Sequence, residues 1–521
     1  MNSVIGMDFG TQSARAVLVS VENGEALCSH IVTYPHGATS DGLAFAEDYE
    51  FALTELLSHV TPAQYRDSIA GICIDATSLT MVPLAENGEV LSELPALTGH
   101  AQAQIKLWKR HSAQKQADEA LNLAQKRNER FLTRTGGGLS CEWTLPKLME
   151  MRDEDEQAYQ SLDVTLDLCE FLTYRLTGKL IRSIGSMSYK GLWANDLGFP
   201  SSSYFDALRP GLADKYRHIM RGKIMRAGEM AGYLKPELGK KFGLRSNVAI
   251  AAGVLDGHTA LIAMGALTSG DAALVIGTSN VLTIQTERMY EMEGICGIAK
   301  DGLIPGLYGI DAGQSCTGDM LDWFIRNALP EEYIREAEAG GISVHKLLEK
   351  KITCPWNNTL IAADWWNGSR NAPCDLSLRG TLIGLSLETR PQDIYLTLIQ
   401  SIVCGTGEII DQCVKQGIVL ERLLAAGGIA NKNQLLMQEY ANLLNRPVDV
   451  AAIKEGPAIG SAILAAVAAG FYPNISDAYK NMGVKKFIRY LPDVEHRTEY
   501  DLLYRKNHFI RNLVAKNHLF P

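Results

Sequence analysis

Short apolar runs ending in Gly, Asp or Thr recur along this chain, and between them apolar residues fall at helical spacing. The pattern predicts a β-meander with strands near 3–9, 15–21 and 26–33, Glu22-Asn23-Gly24-Glu25 supplying a hairpin turn. A helix is expected near 48–60, then a buried strand over 69–74 that ends in Asp75-Ala76-Thr77-Ser78. Residues 101–130 are polar with spaced apolar positions and read as helical. The break Thr135-Gly136-Gly137-Gly138 precedes helices near 143–151 and 165–177, the latter stopped by Gly178.

A strand over 248–254 leads into Leu255-Asp256-Gly257-His258, and a small-residue helix over 259–264 reaches Gly265. The boundary between two domains, 1–265 and 266–521, is placed there. The second part then mirrors the first, with a hairpin, a strand over 307–310, and Asp311-Ala312-Gly313-Gln314-Ser315 opening a helix. A helix over 391–416 and a strand over 423–426 follow, the strand ending in Gly427-Gly428 before a helix at 434–444. Two βββαβα halves closing on a cleft are the expected α/β architecture.

Composition narrows the function. A chain of 521 residues exceeds one compact core, and 46% hydrophobic with 21% charged residues is ordinary for a globular protein. A net charge of −9 argues against a nucleic-acid partner. The basic stretch Lys106-Leu107-Trp108-Lys109-Arg110 reads as a solvated helix face. Ten scattered cysteines include no C-x-x-C pair, so neither a disulfide framework nor a zinc site is expected. The start of the chain carries no charged segment followed by an apolar one, and the longest apolar run, near 462–471, is short of a membrane span. A soluble, cytoplasmic protein without membrane partners is the expectation.

The two hairpins carry the chemistry. The first runs Val4-Ile5-Gly6-Met7-Asp8-Phe9-Gly10-Thr11-Gln12-Ser13, and the second Ala272-Ala273-Leu274-Val275-Ile276-Gly277-Thr278-Ser279-Asn280. Glycine in each turn lets backbone N–H groups approach an anion closely, so two such turns can hold one polyphosphate between them. An ordinary Asp-Gly turn accounts for the first alone; its return in the second half favours a split phosphate site. Neither a Walker loop nor the G-x-G-x-x-G of a dinucleotide-binding dehydrogenase occurs here. Asp8 can hold a magnesium-bound water. Asp256, at a strand end, reads either as a helix cap or as the acceptor of a proton from a hydroxyl attacking a γ-phosphate. Lys190 reads as a solvated lysine or a cationic donor to substrate. Arg15 reads as a phosphate contact or as a side chain pointing off its strand into solvent. Gly427-Gly428 can lie flat against an adenine or ribose, and Gly456 to Ala462 suits close helix packing.

Together these segments resemble the FGGY carbohydrate kinases, a branch of the actin-like/ribonuclease H-like ATPase fold with an interdomain catalytic cleft. The resemblance runs over nearly the whole chain through Asp8-Phe9-Gly10-Thr11, Leu176-Thr177-Gly178, Asp256-Gly257-His258, Gly277-Thr278-Ser279, Gly313-Gln314-Ser315 and Gly427-Gly428-Ile429. Leu107 to Ala113, Gly136 to Trp143 and Tyr189-Lys190-Gly191-Leu192-Trp193 are similar to the L-ribulokinase branch, which also lacks the usual W-x-D-x-R stretch. The resemblance implies ATP-dependent phosphorylation of a ketopentose, L-ribulose to L-ribulose 5-phosphate in L-arabinose catabolism, with Mg²⁺, a small-molecule sugar partner and a homodimer. It implies Asp256 as base, Ser78, Lys190, Asp256 and Asp311 against the sugar, and Asp8 and Asp256 near the metal. On the nucleotide side it implies Gly10, Thr11, Gln12, Arg15, Gly277, Thr278, Gln314, Gly427, Gly428 and Asn431. Ser78 and Asp311 stand where ribulokinases carry Ala and Glu, which leaves another pentulose or pentitol (D-ribulose, xylulose, ribitol) as the alternative. A nucleotide-binding regulator without turnover is the reading from a different class.

Overall fold

The computed structural model describes residues 2–371, 375 and 377–517. Strand β1 (Ser3–Phe9) turns back into β2 (Ser13–Ser20), which pairs with β3 (Ala26–Thr33). Helix α1 (Ala46–Val60) then leads to β4 (Ile69–Ala76), parallel to β1. After α2 (Thr144–Glu154), α3 (Leu168–Thr177) and α4 (Ile184–Tyr189), the sheet is completed by β5 (Met230–Tyr233), β6 (Ala249–Ala251) and β7 (Val254–Leu255). The order is β5-β6-β4-β1-β2-β3, with β7 also on β4, and α5 (Asp256–Met264) starts where β7 ends.

The second half repeats this topology. Strands β8 (Asp271–Ile276), β9 (Asn280–Thr286), β10 (Gly297–Lys300) and β11 (Tyr308–Gln314) precede α6 (Gly318–Asn327) and α7 (Pro391–Lys415). There follow β12 (Arg422–Ala426), α8 (Gln434–Leu444), β13 (Val448–Ala451), α9 (Gly456–Ala468), β14 (Phe487–Tyr490) and α10 (Arg497–Lys516). Its sheet order is β10-β11-β9-β8-β12-β13-β14. Each half thus has an antiparallel meander whose first strand pairs in parallel with a strand arriving from a helix. This is the actin-like ATPase fold.

Period-2 alternation decides what each face of the first sheet meets. On β1, Ile5, Met7 and Phe9 join a core with Tyr49, Leu53 and Leu56 of α1. The opposite face, Val4, Gly6 and Asp8, is covered by α9, which comes from the far end of the chain. A Cβ on Gly6 would lie 1.8 Å from the Ala458 carbonyl oxygen, and one on Gly460 of α9 would lie 2.0 Å from that of Thr259 in α5. The small-residue helix expected from sequence is therefore a spacer between β1 and α5. Helices α5 and α9 form an inner layer joining the two sheets.

Three sequence expectations change. Within 101–130 only Gln114–Arg127 is α-helical, and Lys106 and Leu107 are buried rather than on a solvated helix face. Lys106 lies in a short strand and its ammonium donates to the Gln102 carbonyl at 2.7 Å. Residues Asp311–Gln314 finish β11 instead of opening a helix, which starts at Gly318. Among the described residues, α7 is long and apolar enough to cross a membrane, but its most apolar stretch is mostly buried in the protein. No disulfide links the cysteines among the described residues; Cys374 lies outside them.

Because β1 and α9 touch through backbone, Gly6→Ala is expected to lower stability by about 1–3 kcal/mol through overpacking. A denaturant midpoint equal to that of the parent chain would contradict this.

Candidate active site

The parallel register of β1 and β4 sets Asp8 beside Asp75, both on the face toward α9. Val254 and Leu255 of β7 pair with Asp75 and Ala76, so Asp256, the next residue, emerges at the same strand ends. Three carboxylates converge there. Arg15, one strand over in register with Asp8, places its Nε 3.2 Å from Asp8 Oδ2 and its Nη1 3.2 Å from Glu455 Oε2. The Ser461 hydroxyl on α9 donates to Asp75 Oδ2 at 2.6 Å. One cation, shared with Glu455, against the three converging acids leaves the cluster short of positive charge. Burial pushes the Asp8 carboxyl up, against the pull of Arg15; burial and the Asp8 charge push Asp75 well above the usual range. Asp256 is raised to about 7, by burial first and the Asp8 charge second, although its own Gly257 N–H donates to Oδ1 at 2.7 Å.

The two turns lie on either side of this cluster. In the first, Gly10 N–H bonds Ser13 O at 3.0 Å; in the second, Gly277 N–H bonds Ser279 O at 2.8 Å. Among the described residues, the N–H groups of Thr11, Gln12, Thr278 and Ser279 find no hydrogen-bond partner in the protein. The carbonyls of Gly277 and Thr278 are taken by the N–H groups of Thr317 and Gly318 at the start of α6 and by the Thr317 hydroxyl. A Cβ on Gly257 would lie 3.7 Å from Val281, which sets the start of α5 against the strand after the second turn. Beside that turn Gly427 has φ +113°, and a Cβ there would sit 2.3 Å from Ile276 O, so β12 can end at this point only in glycine. A Cβ on Gly428 meets nothing within 4 Å, and Asn431 Nδ2 donates to Gly427 O at 3.1 Å. These free donors and the open space at Gly428 suit a polyphosphate and its nucleoside.

Gln314 differs from its sequence expectation. Its side chain is buried in the second half, where its amide donates to Asp364 and Ile402 O and accepts from Asn280 and Thr406. It fastens β11 to α7 and has no free group for a nucleotide.

On the other side of Asp256 lies a polar recess. The Ser78 hydroxyl is buried there with no hydrogen-bond partner, in a turn that holds Leu79 at φ +64°. Lys190, at the end of α4, places Nζ 3.6 Å from Asp311 Oδ2 on β11, so the two meet across the cleft. His258 Nε2 lies 3.9 Å from the same oxygen, its ring edge-to-face with Tyr189 at 5.2 Å. Burial pushes the Asp311 carboxyl up, but Lys190 and His258 outweigh it and hold it below its ordinary value. Sequence reasoning missed Asp75 and His258, although each lies within three residues of a strand-end site candidate, Ser78 or Asp256. Glu142 and Arg370, paired across the same cleft, were also missed. For Arg370 no local signal exists.

The sequence profile of the FGGY family of carbohydrate kinases matches here twice, its N-terminal domain over residues 3–263 and its C-terminal domain over 272–469. The chain belongs to the FGGY family of carbohydrate kinases. Ribulokinase from Halalkalibacterium halodurans is 37% identical over 523 residues, covering 96% of this chain and 93% of that protein. Ribulokinase from Anoxybacillus flavithermus is 38% identical over 526 residues with the same coverage. The crystal structure of xylulose kinase from Lactobacillus acidophilus matches with a TM-score of 0.81 over 99% of both chains at 20% identity, a likeness of fold. The two matches adjoin at the end of α5, the helix that begins with Asp256.

Asp75 gives a stability test. A carboxyl whose folded pKa is raised destabilises the fold progressively as pH rises above its unfolded value of about 4. Asp75→Asn keeps an acceptor for Ser461 and removes that penalty. Its thermal midpoint relative to the parent chain is expected to rise from pH 4 to pH 8; a flat difference would show that Asp75 is ionised without cost.

Proposed function

We propose that this chain transfers the γ-phosphoryl group of ATP to the terminal hydroxyl of a ketopentose, L-ribulose being the substrate that gives L-ribulose 5-phosphate. The observation that carries the reading is Asp256, raised to about 7 at the start of α5, between the polar recess and the two open turns. Near-full-length similarity to ribulokinases supports the choice of sugar. A base whose pKa lies near working pH combines ionisation with proton affinity.

In this reading the sugar lies in the recess, with Lys190 and Asp311 on its hydroxyls and the Ser78 hydroxyl facing it. Asp256 accepts the proton of the terminal hydroxyl, whose oxygen bonds the γ-phosphorus while the bond to the β–γ bridging oxygen breaks and ADP departs. The free N–H groups of Thr11, Gln12, Thr278 and Ser279 receive the charge on the phosphoryl oxygens. Gly427, Gly428 and Asn431 border the nucleoside, and Arg15 steadies Asp8 and the phosphate edge. Magnesium suits the excess of carboxylate charge at Asp8 and Asp256, with Asp75 behind them. Among the described residues no group of three His, Cys, Asp or Glu is close enough to hold a metal alone. That fits an ion that keeps waters and takes one or two carboxylates plus phosphates. When bound, the ion would supply Lewis-acid stabilisation of the phosphates.

Another pentulose or pentitol is the second reading, and Asp311 is what favours it. Its carboxylate is one methylene shorter than the glutamate implied for ribulokinases, and it is already drawn toward Lys190. A hydroxyl left unpaired in such a site changes discrimination strongly.

Asp256→Asn is expected to keep fold and ATP affinity while turnover falls by about 10²-fold or more. In the parent enzyme kcat/KM should fall about tenfold per pH unit below about 7 and level off above it. Near-normal turnover in Asp256→Asn, or a flat profile from pH 5.5 to 8, would remove Asp256 from the mechanism. A coupled ADP-release assay across L-ribulose, D-ribulose, xylulose and ribitol tests the sugar. Asp311→Glu is expected to shift relative kcat/KM toward L-ribulose, and an unchanged ranking would show that this carboxylate does not select the sugar.

A further inference from the structure

Two ion pairs of opposite sense cross the cleft. In one the second half supplies the acid, Asp311, and the first half the base, Lys190. In the other the second half supplies the base: Arg370 Nη2 lies 2.7 Å from Glu142 Oε1. The acid of each pair is largely buried, Glu142 and Asp311 alike. Glu142 Oε1 also meets His111 Nε2 at 3.0 Å, so one oxygen gathers two donors while Oε2 forms no hydrogen bond among the described residues. Glu142 and Lys190 together line a cavity of about 20 Å³ beside Leu79, room for about one water.

Arg370 sits on a loop fastened to the strand that carries Asp311. Its loop is tied to the end of β11 by the Ser315 hydroxyl donating to Gly368 O at 2.7 Å, and by Asn371, which bonds both the N–H and the carbonyl of Gly313. Glu142 and Lys190 both belong to the first half. The pairs Arg370–Glu142 and Asp311–Lys190 therefore engage or part together when the halves move. A sugar that draws hydroxyl contacts from Lys190 and Asp311 competes with the second pair and leaves the first intact. Arg370 also lies 5.7 Å from the centre of the Trp108 ring, a contact that steadies the guanidinium where it meets Glu142.

We propose that Arg370 is a positioning residue: through Glu142 it holds the two halves closed over the sugar and keeps Lys190 directed at it, so that ATP is spent on the sugar and not on water. The inference rests on the sugar-kinase reading of the recess. Charge-assisted contacts on a largely buried carboxylate are strong and geometrically exacting. Closure of this kind assembles the reacting groups and excludes water. Arg370 carries no bond-making role; its effect passes through Glu142.

The test is Arg370→Gln, with Arg370→Lys and Glu142→Gln beside it, assayed with whichever sugar of the panel the parent enzyme turns over best. Misplacement of the closed geometry predicts a rise in sugar KM of about tenfold or more in Arg370→Gln. The ATP KM should stay within about twofold, and the ratio of sugar-independent ATP hydrolysis to sugar phosphorylation should rise about fivefold or more. Arg370→Lys should recover part of both effects, since it keeps the charge without the fork. The double variant Glu142→Gln/Arg370→Gln should be no worse than the single ones, because both remove one contact. An unchanged sugar KM and hydrolysis ratio, or fully additive losses, would overturn the proposal. Small-angle scattering of the ligand-free parent and of Arg370→Gln requires no sugar, and a larger radius of gyration is expected in the variant. If no ketopentose is phosphorylated, the substrate reading falls, and the scattering comparison still decides on Arg370: equal radii reject it.

Discussion

The cleft exists in its present form because α9 can lie directly on β1. Gly6 and Ala458 meet backbone to backbone, and Gly460 lets α5 close on the other side of the same helix. A larger side chain at any of these points would separate the sheets and draw the two turns apart. Dense apolar packing around the contact (Val4, Val17, Ala260, Ile262, Ala462, Ile463) gives it rigidity. The layer is also reciprocal: the first half contributes α5 to the second sheet, and the second half contributes α9 to the first. The chain cannot pull its halves fully apart without unpacking a core.

That packing also sets the electrostatics. Asp8 and Asp75 lie on the buried face because alternation along β1 and β4 puts them opposite α9, and Asp256 follows from the end of β7. Carboxylates crowded at strand ends under a helix lose water and repel one another, which disfavours their charged forms. Arg15 and Ser461 relieve part of this strain, leaving a deficit of positive charge at the mouth of the cleft. The recess behind it is balanced differently, since Lys190, His258, His111 and Arg370 face Asp311 and Glu142. Acids are thus held proton-hungry beside the turns and firmly ionised in the recess, where Arg370 and His111 outweigh burial and drive the Glu142 carboxyl down to about 2.

Much of this was legible in the sequence because the signals were local. Strands β1, β2, β3, β8 and β12 and helices α1, α7 and α8 announce themselves by period and by Gly or Asp at their ends. The paired turns were visible as a repeated motif. What sequence could not show was set by tertiary context. Lys106 looked solvated but is buried on a backbone carbonyl, a burial that no run of polar neighbours discloses. Gln314 lay in a family motif, and only the structure shows that its amide is consumed inside the second half. Arg370 meets Glu142 across 228 residues of chain, beyond the reach of any spacing argument.

The unpartnered peptide groups of the two turns bear on how such a site can change over generations. A contact made by backbone N–H is nearly blind to substitution, since almost any residue that tolerates the turn supplies the same donor. In the proposed reading the contacts to the sugar come from side chains, at Ser78, Lys190 and Asp311, each open to replacement by a single codon change. Phosphoryl chemistry is in that sense inherited with the fold, and sugar preference is a heritable variable drifting on top of it. New acceptors can be tried without risking the reaction itself.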